Sequence, residues 1–86
     1  MDTRVAVISI IVEREGVIDE LNHLLHEQRK YIIGRMGIPY RERGINIISI
    51  AIDAPQDVIS ALSGKIGGLK GVSAKTAYSN VISKEK

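Results

Sequence analysis

A seven-residue sequence recurs, with conservative changes, in the two halves of this 86-residue chain. Residues 7–13 read VISIIVE and residues 47–53 read IISIAID, an offset of 40 positions. The branched aliphatic residues of both runs favour buried β-strands. Each run is followed by apolar residues at helical spacing, at positions 17, 18 and 21 in the first half and 58, 59 and 62 in the second. The chain is therefore predicted to contain two tandem β-α-β units.

Two such units most simply form a ferredoxin-like α+β fold with the order β-α-β-β-α-β. This fold predicts an antiparallel four-stranded sheet with both helices on one face. Right-handed crossovers are expected to place the first and third strands side by side and parallel in the centre. The second and fourth strands then become the edges of the sheet.

Local signals predict where these elements begin and end. The first helix is expected over residues 17–28, and the second strand is expected to begin at Tyr31. Glycines and Pro39 interrupt residues 34–44, which favours the irregular end of a strand and a hairpin loop. Asp53 or Ala54 is the expected cap of the second helix. A single domain is predicted over residues 1–78, with a last strand over residues 72–78 and a flexible tail over residues 79–86.

Composition excludes several kinds of site. The chain has no Cys, so disulfides and thiolate metal sites are excluded. It has no Phe or Trp and only 3 Tyr, so the stacking surface of an RNA-recognition domain is missing. A formal net charge of +2 is too balanced to indicate a nucleic-acid partner. No apolar run is long enough to span a membrane and no signal peptide is evident, so a cytoplasmic protein without a membrane partner is expected.

The alternation of side chains separates the two faces of the predicted sheet. The isoleucine-rich sides of the first and third strands are expected to meet the helices. The other side is also apolar, with Val5, Val7, Ile11, Ile47 and Ala51. An apolar face of this size is unfavourable in water, so we expect another subunit to cover it, in a dimer or a tetramer. The alternative is a moderately apolar sheet face that stays exposed.

Two segments are candidates for a ligand site. The first is the turn into the first helix, where a helix N-terminus offers free N–H groups to an anion. The second is the glycine-marked strand, where glycine permits close approach of another backbone. In a dimer joined edge to edge, the turn of one subunit could face the strand of the other. The candidate ligand residues are Glu13, Arg14, Glu15, Gly16, Gly34, Arg35, Met36 and Gly37. An ordinary connecting loop and an ordinary hairpin are the alternatives.

Three arginines, Arg35, Arg41 and Arg43, are expected near one tip, where they could hold a carboxylate or a phosphate. His23 and His26 lie three residues apart on the first helix and could present two imidazoles to one metal ion, although a solvated helix face is the simpler interpretation. Gly64 interrupts the second helix and is expected to allow close helix–sheet packing.

Two segments together resemble a known family. Residues 31–44 (YIIGRMGIPYRERG) and 59–76 (ISALSGKIGGLKGVSAKT) are similar to the small ACT-like regulators of the iron-only hydrogenase system. The resemblance extends roughly from Arg4 to Tyr78. It implies a ferredoxin-like fold related to the ACT domain and to the ligand-binding domain of the nickel-responsive repressor. Such relatives oligomerise through their sheets and bind small effectors or metal ions at subunit interfaces.

The sequence therefore predicts a non-enzymatic regulatory module. No nucleophile–base pair is evident, and no cofactor is expected. A small anionic effector, such as an amino acid, would bind between subunits. A metal-responsive sensor that uses the helix histidines and a structural subunit of a larger assembly remain the alternatives.

Overall fold

The computed structural model describes residues 2–83, with side chains described through residue 81. Four strands and two helices follow one another in the predicted order, which confirms the ferredoxin-like α+β fold. A single 3-10 turn, Arg29–Tyr31, joins the first helix to the second strand. The elements are β1 (Thr3–Val12), α1 (Ile18–Glu27), β2 (Ile32–Tyr40), β3 (Ile45–Ala54), α2 (Gln56–Gly67) and β4 (Val72–Ser83).

The strands form one sheet in the order β2-β3-β1-β4, with every neighbouring pair antiparallel. The central position of β1 and β3 is as predicted, but their parallel orientation was wrong. The α1 crossover returns the chain so that β2 runs in the same direction as β1, and the tight β2–β3 hairpin then reverses it. The hairpin makes β3 antiparallel to β2, and since β1 runs in the same direction as β2, β3 is antiparallel to β1 as well.

Alternation along β1 and β3 places the core on the helix side of the sheet, as predicted. Every second residue of each strand, such as Ile8 and Ile50, is fully buried, whereas Val7 on the opposite face remains 38% exposed. The helices contribute Leu21, Leu25, Ile59, Leu62 and Ile66 to the same cluster. The buried core of the described residues is entirely aliphatic, so dispersion and the removal of apolar surface from water stabilise the fold.

The second strand is longer than the sequence indicated. It continues through Gly34, Gly37 and Pro39 to Tyr40, where an irregular segment was expected. Register with β3 is kept along this length, apart from a bulge next to Ile32. An edge strand tolerates glycine and proline better than a central strand because one side of it is unpaired. Pairing with β3 therefore overrides the weak strand propensity of these residues.

The boundaries of α2 also differ from expectation. Asp53 and Ala54 end β3, and Pro55 is the N-cap, so neither expected residue is the cap. The predicted end of the helix at residues 67–68 is confirmed, because Gly67 is the last helical residue. Gly64 is exposed, and a Cβ built on it would meet no atom within 4 Å. The expectation that it permits close helix–sheet packing was therefore wrong.

The last strand runs five residues past its expected end at Tyr78, to Ser83. A bulge in β4 opposite Val5 interrupts its pairing with β1, and pairing then resumes at Ile82. The expectation of a tail was thus wrong for residues 79–83, and residues 84–86 lie outside the described residues. The bulge is held by Arg4, which donates a 2.8 Å hydrogen bond to the carbonyl of Ser79.

Neither helix within residues 2–83 is both long and apolar enough to cross a membrane.

Candidate functional site

The turn between β1 and α1 lines a cleft of about 450 Å³. Gly16 adopts a φ of +93°, a conformation that favours glycine, and starts the chain toward α1. The N-cap residue Val17 supplies no side-chain hydrogen bond to the first turn of the helix. The other wall is the connection between α2 and β4. The lining residues are Arg14, Glu15, Gly16, Val17, Glu20, Gly68, Leu69 and Lys70.

The two walls of this cleft are fixed to each other. The backbone N–H of Glu13 donates a 2.7 Å hydrogen bond to the carbonyl of Gly71. Gly71 has a φ of +74°, and a Cβ built there would lie 2.6 Å from the Cβ of Arg14. Glycine is therefore required at position 71 both by its backbone conformation and by close contact. Sequence reasoning missed this residue, although a glycine just before a strand is a typical turn signal.

The charges around the cleft are balanced. Arg14 and Lys70 contribute two cations, and Glu15 and Glu20 contribute two carboxylates. All four side chains are exposed, and no ion pair within 4.0 Å joins them in the part of the chain that the structure describes. Such a set can offer partners to both a cationic and an anionic group of one small molecule.

The glycine-marked strand lies away from this cleft in the same chain. β3 stands between β2 and β1, so one subunit alone does not bring the Gly34–Gly37 segment to the turn. Met36 lies on the helix-free face and is 63% exposed. Neither Gly34 nor Gly37 has a positive φ, and a Cβ at either position would meet no atom closer than 4.0 Å. Packing within the chain therefore does not require glycine at these two positions.

Arg35 projects to the helix side of β2, where its guanidinium donates a 3.2 Å hydrogen bond to Oδ1 of Asn22. It lines a groove of about 380 Å³ between α1 and β2. Arg29 also lines the groove, and no carboxylate does so. Sequence reasoning missed this groove, although residues 22, 26 and 29 follow the spacing of one helix face. Its lining residues are Asn22, Leu25, His26, Arg29, Ile32 and Arg35.

The predicted cluster of three arginines at one tip is not formed. Arg41 and Arg43 lie in the β2–β3 hairpin, where Gly44 has a φ of +67°. Arg35 lies further back along β2 and turns toward α1. Strand geometry separates it from the tip, because each residue of a strand advances the chain by about 3.3 Å. Arg41 instead borders a smaller cleft that also contains Glu15.

The two helix histidines face different surroundings. Nε2 of His23 lies 3.4 Å from Oε2 of Glu27, whereas His26 lines the groove beside β2. Within the described residues no group of three or more His, Asp or Glu side chains is placed to hold a metal ion. The structure therefore supplies no third ligand to the metal site that the spacing of the histidines suggested.

The helix-free face of the sheet is largely apolar and exposed, and we call it the open face. Exposed fractions of 42% for Ile11 and 41% for Ile47 contrast with complete burial of Ile8 and Ile50 on the other side. The second strand extends the apolar surface beyond the residues expected from β1 and β3. The exposed large side chains that the register places on the open face are Val5, Val7, Ile11, Met36, Ile38, Tyr40 and Ile47.

Together, the sheet order and the two helices on one face define a small ferredoxin-like domain. Comparison with known families then identifies the family of this chain. Residues 4–76 match the TM1266-like family, described as "Iron-only hydrogenase system regulator, putative". The chain belongs to this family. None of the curated proteins matches the sequence.

Two solved structures show how far the likeness extends. The uncharacterized protein TM1266 from Thermotoga maritima is 38% identical with a TM-score of 0.85, and the match covers 88% of this chain and 96% of that one. A formyltetrahydrofolate deformylase from Pseudomonas putida KT2440 is 14% identical with a TM-score of 0.62. This second match covers 85% of the present chain but 28% of the deformylase, and it shows a shared fold alone.

Proposed function

We propose that this member of the hydrogenase-regulator family is a non-enzymatic module that binds a small effector between two of its own subunits. The effector carries an anionic group and is best matched by an amino acid. It lies between the turn at residues 13–16 of one subunit and the Gly34–Gly37 segment of its neighbour. Binding changes how the subunits pack, and a partner in the hydrogenase system responds to that change.

The observation that carries this proposal is the unexplained pair of glycines on an edge strand. Within the described part of the chain, a Cβ at Gly34 would meet no atom within 4 Å, and a Cβ at Gly37 would lie 4.0 Å from Cγ1 of Ile48, an ordinary van der Waals contact. Glycine costs conformational entropy in a strand, so its presence at both positions calls for a reason outside the chain. Close approach of a neighbouring backbone or of a ligand is such a reason.

The chemistry of the cleft supports an amino acid as the effector class. A free amino acid carries one ammonium and one carboxylate group on the same carbon. The cleft offers Arg14 and Lys70 to the carboxylate, and Glu15 and Glu20 to the ammonium. The backbone N–H groups at the start of α1 receive no side-chain cap and add further donors for an anion.

The proposal is tested by measuring thermal stability in the presence of each amino acid. A ligand present at ten times its Kd stabilises the folded state by about 1.4 kcal/mol. For a domain of this size that corresponds to a rise in Tm of roughly 5–11 °C. The Arg14→Gln variant is expected to lose this rise, and Arg43→Gln, which removes an arginine from the hairpin, is expected to keep it. Absence of a rise with every amino acid would contradict the effector class.

A second variant addresses the strand. Gly34→Val introduces a β-branched residue where the chain has open space, so the unliganded fold is expected to be no less stable than the unmodified chain. The ligand-induced rise in Tm is nevertheless expected to disappear, because the added side chain occupies the space that the neighbour needs. Full retention of the rise would exclude this strand from the site.

A further inference from the structure

The groove between α1 and β2 has an apolar floor and a polar rim. Leu25 is buried and Ile32 is half-buried, and these two side chains form the floor. The volume of about 380 Å³ lies within the range of roughly 300–1,000 Å³ that small-molecule sites occupy. The exposed polar side chains of the rim are Asn22, His26, Arg29 and Arg35.

Both guanidinium groups of the rim are held by neutral acceptors. Nη2 of Arg35 donates a 3.2 Å hydrogen bond to Oδ1 of Asn22. Nη1 of Arg29 donates a 3.0 Å hydrogen bond to the carbonyl of His26. In the part of the chain that the structure describes, no carboxylate lines the groove and none lies within 4.0 Å of either guanidinium. Two positive charges are thus positioned here without an anion that neutralises them.

The rim offers further hydrogen-bond donors. A guanidinium carries several N–H groups, so one hydrogen bond leaves most of them free. Because Oδ1 of Asn22 accepts from Arg35, the amide NH₂ of Asn22 is left to donate. The imidazole of His26 carries at least one N–H in either charge state. Every polar side chain that lines the groove is therefore able to donate to an anion.

The nearby end of α1 does little to oppose an anion. Free carbonyl groups give a helix C-terminus a partial negative charge. Here the carbonyl of Leu25 accepts a 3.1 Å hydrogen bond from the N–H of Gln28, and the carbonyl of Gln28 accepts a 3.0 Å bond from the N–H of Tyr31. Arg29 occupies the carbonyl of His26. The carbonyl groups closest to the groove are thus already paired within the chain.

We propose that this groove binds a phosphate monoester. The phosphate group lies between Arg29 and Arg35, and the organic part of the ligand packs on Leu25 and Ile32. A phosphate monoester carries about −1.5 to −2 charge near pH 7, which matches two guanidinium groups. Its three terminal oxygens point in different directions and accept from both walls at once. A carboxylate has two oxygens in one plane, which a single guanidinium satisfies.

The groove differs chemically from the cleft at the start of α1. That cleft pairs two cations with two carboxylates, whereas this groove has no carboxylate among the described residues. The ammonium group of an amino acid would find no anionic partner here. The groove is also complete within one subunit, so this inference does not rest on the proposed effector or on any contact between subunits.

Nuclear magnetic resonance of the ¹⁵N-labelled chain tests the ligand class. The chain is titrated with n-butyl phosphate near pH 7, at constant ionic strength and without any amino acid. Saturable shifts are expected at the side-chain amide of Asn22 and the backbone N–H of Arg35, at millimolar concentration. Inorganic phosphate lacks the apolar part and is expected to bind the same residues at least about fourfold more weakly.

Pentanoate is the matched carboxylate, since it has an apolar chain of the same length. It is expected to bind about tenfold more weakly than n-butyl phosphate, because it loses the contact with one of the two walls. Equal affinity for pentanoate would overturn the assignment of a phosphate. Absence of saturable shifts around the groove with n-butyl phosphate would overturn the site itself.

Three charge-removing variants test the residues. Arg29→Gln and Arg35→Gln each remove one guanidinium and are each expected to weaken binding of n-butyl phosphate about tenfold. Arg43→Gln removes the same charge from the β2–β3 hairpin, outside the groove, and is expected to leave the affinity unchanged. All three side chains are exposed, and the spectrum of each unliganded variant reports whether its fold is kept. Full affinity in Arg29→Gln or Arg35→Gln, or an equal loss in Arg43→Gln, would overturn the proposal.

Arg14→Gln separates this inference from the proposed effector site. This variant is expected to lose the thermal response to an amino acid and to keep its affinity for n-butyl phosphate. Binding of n-butyl phosphate without any response to amino acids would leave the groove standing while contradicting the effector. Shifts at residues 13–16 that disappear in Arg14→Gln would instead place the phosphate in the cleft and overturn the inference.

Discussion

Replacing Gly71 with alanine is expected to destabilise the fold by about 2–4 kcal/mol, through two separate effects. The first is conformational: an L-residue at a φ of +74° costs roughly 1–2 kcal/mol relative to glycine. The second is steric. The new Cβ would lie 2.6 Å from the Cβ of Arg14, whereas carbon atoms pack best at about 3.5–4.0 Å. The turn must therefore move by about 1 Å.

That movement weakens the 2.7 Å hydrogen bond between the Glu13 N–H and the Gly71 carbonyl. A backbone hydrogen bond of this kind contributes about 1 kcal/mol. Together the displacement and the weakened bond account for the 1–2 kcal/mol that the steric effect adds to the conformational one. Because Arg14 itself must shift, the same substitution is also expected to disturb the cleft at the start of α1.

Gly44→Ala is the matched control. Gly44 has a similar φ of +67°, but a Cβ there would meet no atom within 4 Å. It is expected to cost only the conformational part, about 1–2 kcal/mol. Urea unfolding followed by circular dichroism, at one protein concentration, measures both losses. The Tm of Gly71→Ala should also lie about 4–8 °C or more below the Tm of Gly44→Ala. Equal losses for the two variants would refute the steric argument.

Four further substitutions test other parts of the fold. Gly64→Ala fills open space on an exposed helix and is expected to stabilise the chain by about 0.5–1 kcal/mol, seen as a higher urea midpoint. Arg4→Ala removes hydrogen bonds to Gln56 and to the Ser79 carbonyl and a contact over the Tyr78 ring. It is expected to lower the free energy of unfolding by about 1–3 kcal/mol. An unchanged urea midpoint would show that Arg4 does not hold the β4 bulge. Ile50→Ala is expected to cost about 2–5 kcal/mol at every protein concentration, because Ile50 is fully buried within one subunit. Ile47→Ala, on the open face, is instead expected to lower the free energy of unfolding by more at a protein concentration that favours dimers than at one that favours monomers.

The order of the elements could be predicted because the sequence repeats. In the matching runs that end at Glu13 and Asp53, one set of alternate positions is richer in isoleucine, and these are the positions that the structure buries, so the strands and their buried sides could be predicted. The parallel orientation assigned to β1 and β3 was the one topological error. It arose from applying the handedness of a crossover to strands that the crossover does not join. The hairpin between β2 and β3 determines the direction of β3 relative to β1 instead.

The edge strands were harder to predict because pairing, rather than local propensity, determines them. Gly34 and Pro39 are poor strand residues, yet each pairs with a residue of β3. The groove between α1 and β2 escaped prediction for a related reason. Asn22 and Arg35 are separated by thirteen positions and meet only because β2 lies beside the helix. Gly71 likewise owes its role to Arg14, a contact that no local pattern records.

The central position of β1 has a consequence for how the chain folds during synthesis. Its neighbours β3 and β4 both come later, and Thr3 pairs with Ser83, so the strand made first is completed last. Among the described strands, only β2 and β3 form a local hairpin that closes early. Distant pairings of this kind slow folding, because a long loop must close before the contacts form. The strongly aliphatic β1 therefore leaves the ribosome with both edges unpaired, and the nascent chain is expected to be prone to aggregation until β3 and β4 have emerged.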